Sequence, residues 1–205
     1  MHPAGPLRLR TLLGDYPNTL ALKRGEIGSA LLEFDFAEVK LAHTAFKRVV
    51  RDLEFDVAEL ALVTFLMAKA WGKPLVLLPA VVSARFQHPY LVYNAERGRL
   101  APGELAGRRV GVRSYSVTTG AWIRSILAND YGVELDRVRW VSFEDAHVAE
   151  YREPPTVERA AAGKDALAML LAGELDAAVL ANPLADPRLK PLIPEPAAQA
   201  QDSEK

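Results

Sequence analysis

Apolar and polar residues alternate along residues 7–13, LRLRTLL, and the run ends at Gly14-Asp15-Tyr16-Pro17. Alternation of period two closed by turn-forming residues predicts a strand followed by a turn. Residues 30–36 form a second strand candidate. Thr44 is placed to cap a helix over residues 45–51, with Phe46, Val49 and Val50 on one face. A short strand over 55–58 passes into a mostly apolar helix from about Leu60 to Trp71, stopped by Gly72 and Pro74. Residues 75–78 and 90–93 are β-rich and flank the polar loop Ser83-Ala84-Arg85-Phe86-Gln87-His88-Pro89.

The second half repeats this grammar. A strand at 110–112 leads into the hydroxyl-rich turn Ser114-Tyr115-Ser116-Val117-Thr118-Thr119. The turn opens an amphipathic helix carrying Trp122, Ile123, Ile126 and Leu127, which ends near Tyr131-Gly132. Residues 139–142 predict a strand, 143–155 a polar loop, 156–160 a short strand, 165–172 a helix ended by Gly173, and 176–180 a buried strand. Five prolines follow Ala181, and the last residues, 198–205, are polar, so an irregular end is expected. Strands alternating with helices predict an α/β fold with mainly parallel sheets. Asn, Gly and Pro cluster at 94–103, where a change of lobe is expected: 1–94 in a first lobe and 95–183 in a second, with 184–205 returning to the first.

Composition narrows the function classes. The chain has 205 residues, is half hydrophobic and a quarter charged, and carries a formal net charge of −1. That balance gives no electrostatic footprint for nucleic acid. With no cysteine, disulfides, thiolate metal sites and cysteine nucleophiles are excluded. The four histidines show no metal-ligand spacing, so no metal is expected, and neither GxxxxGK(S/T) nor GxGxxG occurs. The start, MHPAGPLRLRTLLGDYP, has neither a long apolar run nor a small-residue cleavage site, and no apolar run is long enough to span a bilayer. A cytoplasmic protein without membrane contact is expected.

The chemistry concentrates after strands. A turn that begins a helix presents N–H groups with no intrahelical partner at the positive end of the macrodipole. The turn 114–119 adds four hydroxyls, more than a cap needs. Ser114, Ser116, Thr118 and Thr119 are therefore candidate donors to a carboxylate, and Tyr115 a surface for a flat ligand. Ser and Thr are also the ordinary residues of a helix start. The loop with Ser83, Arg85 and His88 follows an apolar run. Arg85 can grip a carboxylate through two parallel hydrogen bonds, and His88 can move a proton near neutral pH. Asp15 and Tyr16 follow the first strand, and Glu59 follows the strand at 55–58. A solvated loop, an Asx turn and a favourable helix-start charge are the alternative readings of these three places. Trp71, Trp140, Phe65 and Met67 are expected in the core.

Four blocks of the chain resemble the 4,5-dihydroxyphthalate decarboxylase group of the type 2 periplasmic-binding-protein-like superfamily. They are LLGDYPNT, EFDVAELALVTFL, LPAVVSARFQHPYLVYN and LAGRRVGVRSYSVTTGAWIRSILANDYGVELDRVRWV, in that order; GKDALAMLLAGELDAAVLANP resembles the group's second-lobe ending. The resemblance implies a two-lobed α/β fold with a ligand cleft closed by Asp15-Tyr16, Glu59, Ser83-Arg85-His88, the 114–119 turn and Asn182. The group's chain returns to complete the first lobe. This sequence stops at AAQAQDSEK, so the first lobe is expected to be truncated and its uncovered face to favour a homo-oligomer.

The resemblance implies cofactor-independent decarboxylation of a hydroxylated aromatic carboxylate. Arg85, Ser116, Thr118 and Thr119 would hold carboxylates, His88 or Glu59 would deliver the proton, and Asp15 or Tyr16 would orient a phenol. Two other classes compete: a non-catalytic binding or sensor protein for a small carboxylate, and a truncated relative that has lost its cleft.

Overall fold

A computed structural model describes residues 5–183 and 185–193. They form two compact units, residues 5–84 together with His147–Glu150, and Arg85–Ala146 together with residues 151–193.

The first unit is built on a parallel three-stranded sheet. Strand β1 (Leu7–Leu12) is central, flanked by β2 (Leu32–Phe36) and β3 (Val57–Ala58). Helix α1 (Leu20–Lys23) follows β1, and α2 (Leu62–Ala70) follows β3. The helix expected over 45–51 is less regular than its pattern suggests. A 3₁₀ turn at Ala42–Ala45 gives way to a π-helical turn at Arg48–Asp52, ended by Leu53 at φ 51°. Ala45, Phe46, Val49 and Val50 are buried on it. The expected loop 143–155 is divided, because His147–Glu150 belongs to this unit. The His147 ring nitrogen Nδ1 and the buried Thr64 hydroxyl are 2.8 Å apart, and the His147 carbonyl accepts from Arg51 Nε at 2.8 Å. Lys73 Nζ donates to Glu150 at 2.6 Å, which lowers the carboxyl's pKa.

Two expectations fail in this unit. Residues 75–78 join no sheet despite their β-rich composition. Pro74 and Pro79 bracket the run, and proline cannot donate to a ladder. Trp71 is exposed, not core: it sits at the C-cap of α2, beyond Thr64 and Ala68, the buried residues of that helix.

The second unit is built on β4 (Leu91–Asn94), β5 (Arg109–Val112), α3 (Thr118–Asn129), β6 (Arg139–Ser142), β7 (Glu158–Arg159), α4 (Ala166–Ala172), β8 (Ala177–Val179) and β9 (Leu189–Pro191). The strands lie in the order β7-β6-β5-β8-β4-β9. All run parallel except β4, which is antiparallel to both neighbours. Apolar residues point to both faces, as a sheet covered on each side requires. Val110, Val112 and Trp140 pack with Ile123 and Leu127 of α3. Val92, Val141 and Ala178 pack with Met169 and Leu170 of α4. Asp165 caps α4 by accepting from the Ala168 N–H at 2.9 Å, and Gly173 ends it at φ 77°.

β9 corrects the irregular end expected after Ala181. Its leucine and the two residues beyond it, Leu192 and Ile193, are buried. Pro191 is tolerated because β9 is an edge strand. The molecule is therefore an α/β protein with mixed, mostly parallel sheets.

Candidate functional site

Strand direction gathers the candidate residues at sheet edges. In the first unit Leu12 of β1 pairs with Ala58 of β3, so Gly14-Asp15-Tyr16 and Glu59 leave the sheet at the same carboxyl edge. Ligands of open α/β sheets collect at such edges. Glu59 Oε2 accepts from the Gly14 N–H at 2.7 Å, and Oε1 accepts from the Tyr16 hydroxyl at 2.8 Å. Thr19 locks the loop. Its hydroxyl accepts from the Tyr16 N–H at 2.9 Å and donates to the Gly14 carbonyl at 2.8 Å. Residue 14 is glycine for a local reason: a Cβ there would stand 2.8 Å from the Tyr16 ring. Asp15 pairs with Lys23, whose Nζ also donates to the Leu13 carbonyl at 2.9 Å. Ser83 is exposed; its neighbour Val82 accepts from Asn18 Nδ2 at 3.2 Å.

In the second unit Val112 of β5 lies level with Ser142 of β6 and Val179 of β8, and Val179 with Leu91 of β4. The 114–119 turn, Asn182 and the segment leading into β4 thus leave this sheet at one edge. Ser114 and Ser116 are buried at 1% and 7% exposure, with their hydroxyls 3.2 Å apart. α3 starts from Val117 without a side-chain cap. The N-cap position is thus held by a residue with no side-chain acceptor, while the Ser114 and Ser116 hydroxyls face each other. Gly120 lets the helix approach the sheet, since a Cβ there would meet Val112 Cγ2 at 2.9 Å.

Arg85 is exposed and stacks on Tyr90, its guanidinium carbon 4.2 Å from the ring centroid and Nη1 donating to the Tyr90 hydroxyl at 3.2 Å. His88 is buried, and neither ring nitrogen has a hydrogen-bond partner. Burial lowers its pKa, opposed by the Asp130 carboxylate. Arg85 and His88 thus share a loop but not an environment. Asn182 is exposed, and its carbonyl accepts from the Ala185 N–H at 3.3 Å.

Two residues at the turn escaped the sequence reading. Glu153 accepts from the Tyr115 N–H at 3.3 Å and from the Ser142 hydroxyl at 2.7 Å. Nothing in its loop sequence, YREPP, marks it, because the contact is made across the sheet edge. Arg124 lies over the Tyr115 ring. Its position four residues after Gly120 was the available signal, since that spacing sets a side chain over the helix's first turn. Among the described residues no cluster of three or more His, Asp or Glu could hold a metal, and no helix is long and apolar enough to cross a membrane.

No family model matches the chain. It is similar to two proteins named 4,5-dihydroxyphthalate decarboxylase. One, from Pseudomonas putida, is 28% identical over 181 residues, 84% of this chain and 70% of that protein. The other, from Comamonas testosteroni, is 31% identical over 115 residues, 56% of this chain. This chain spans only 33% of the Comamonas protein's length in that match. Fold and site thus define an α/β protein with hydroxyl-bearing and carboxylate-bearing loops at the carboxyl edges of its sheets. It is a distant relative of proteins named 4,5-dihydroxyphthalate decarboxylase.

Proposed function

We propose that the protein removes CO₂ from a hydroxylated aromatic carboxylate of the 4,5-dihydroxyphthalate kind, without a cofactor, on a two-lobed scaffold of the type 2 periplasmic-binding-protein-like kind. The observation that carries this reading is the similarity, across 84% of the chain, to the Pseudomonas protein of that name. The buried Ser114 and Ser116 hydroxyls, just ahead of a helix whose N-cap Val117 offers no side-chain acceptor, support a carboxylate ligand, which Ser116, Thr118 and Thr119 would hold. Decarboxylation needs a proton placed on the ring carbon as the bond to the carboxylate breaks and its electron pair returns to the ring. Glu59 is the proposed carrier of that proton, and Tyr16, bonded to it at 2.8 Å, orients a substrate hydroxyl. This geometry favours Glu59 over His88, whose ring nitrogens are both shielded.

The test is incubation with 4,5-dihydroxyphthalate, following CO₂ and 3,4-dihydroxybenzoate. Glu59→Gln should lower kcat by about 10²–10⁴-fold, the span of general acid–base catalysis, and Tyr16→Phe by less. A thermal shift with the acid but no CO₂ from the parent protein would instead identify a carboxylate-binding protein.

A further inference from the structure

Most arginines of the second unit are spoken for. Arg108 pairs with Asp176, Arg109 and Arg139 with Glu158, Arg159 with Asp145, and Arg188 with Asp186. Arg124 is different. Among the described residues it makes neither a hydrogen bond nor an ion pair, and its Nη1 is buried. Its guanidinium carbon lies 3.7 Å from the Tyr115 ring centroid and 5.7 Å from that of Trp140. The two rings meet edge to face at 6.1 Å, so the stack has a rigid floor. The acidic side chain bonded to the turn, Glu153, uses its oxygens on the Tyr115 N–H and the Ser142 hydroxyl.

Arg124 is half-buried, and the donors on its Nη1 are withdrawn from water with no acceptor, which is costly because they lose hydration and gain no hydrogen bond. Aromatic stacking recovers part of that cost and fixes the plane of the fork. A planar fork held flat on aromatic rings is prepared for bidentate binding of a carboxylate. Burial lowers the pKa of Arg124, yet an arginine stays charged in proteins. No carboxylate of the described residues pairs with it.

We propose that Arg124 is the cation that binds a carboxylate of the ligand, with Tyr115 and Trp140 acting as positioning residues that hold its guanidinium. The assignment rests on the carboxylate-ligand part of the proposed function and gives that ligand its specificity determinant. It moves the carboxylate-binding role from Arg85, whose guanidinium is exposed and engaged with Tyr90, to a residue on α3.

Phthalate binding measured by calorimetry tests it, with dimethyl phthalate as the uncharged comparator. The parent protein should bind phthalate in preference to the diester. R124Q should weaken phthalate by about 30-fold or more, the loss expected when one partner of a desolvated charge pair is removed, and leave the diester unchanged. R124K should fall between, since a point charge cannot reproduce the fork. Circular dichroism and the thermal midpoint report whether each variant is folded. Phthalate affinity in folded R124Q within about threefold of the parent, equal loss of both ligands, or a parent that binds no phthalate would each overturn the assignment. Should R124Q fail to fold, undiminished phthalate affinity in R124K overturns it. If phthalate binds through Arg124 while 4,5-dihydroxyphthalate yields no CO₂, the decarboxylase reading fails and the role of Arg124 stands.

Discussion

His88 shows how one residue's surroundings can redirect its role. By residue type it is the natural proton shuttle of the loop, yet its imidazole is buried with both nitrogens unpartnered, and burial holds its pKa below the ordinary value. In that environment it serves as a neutral core group. A base whose pKa is lower folded than unfolded contributes stability above the unfolded pKa and loses it as pH falls, because the unfolded chain takes up the proton first. Stability should therefore decline from about pH 7 towards pH 5, and His88→Gln should flatten that decline. Urea midpoints across the range check this; parallel pH profiles for parent and variant would sink the idea. The type and place of Ser114, Ser116, Tyr16 and Glu59 were legible from strand ends alone. Their partners were not: Glu59 meets Tyr16 across 43 positions and Tyr115 meets Glu153 across 38. Local pattern carries no information about such pairings.

At the scale of elements, hydrophobic period predicted well where a segment is long or capped locally. α4 begins and ends where Asp165 and Gly173 place it, since cap and αL terminator are encoded beside the helix. β1, β5 and β6 likewise fall on their apolar patterns. Prediction failed where pairing decides. Residues 75–78 have strand composition but prolines on both sides, whereas β9 has proline within it and still pairs with β4, Leu189 opposite Asn94. β9 and the residue after it then carry real core: Leu189 packs with Val92 and Met169, and Leu192 with Leu91 and Val179. Leu192→Ala should cost about 2–5 kcal/mol, the range for emptying a buried leucine site. Denaturant unfolding measures it. A loss below about 0.5 kcal/mol would mean that Leu192 is not part of the second unit's core.

For the whole molecule, the decisive fact is uneven burial. The second unit has two-sided cover for its sheet, while residues 5–84 expose many large apolar side chains, among them Val76 at 86% and Val81 at 78%. Exposed apolar surface of this extent favours association. Val76→Lys with Val81→Lys should leave stability within about 0.5 kcal/mol, as exposed positions do, and reduce concentration-dependent association in sedimentation runs. Association unchanged by both charges would show that this segment does not drive it. The amino-acid sequence by itself determined the α/β class, most strand and helix positions, and the hydroxyl turn, because period, caps and breakers act within a few residues. Tertiary structure alone decided that His147–Glu150 joins the first unit, that β9 closes the edge beside β4, that Glu59 bonds Tyr16, and that Arg124 lies on Tyr115 without an acceptor. Those outcomes depend on which distant segments become neighbours when apolar faces are buried, and only the assembled sheets select them.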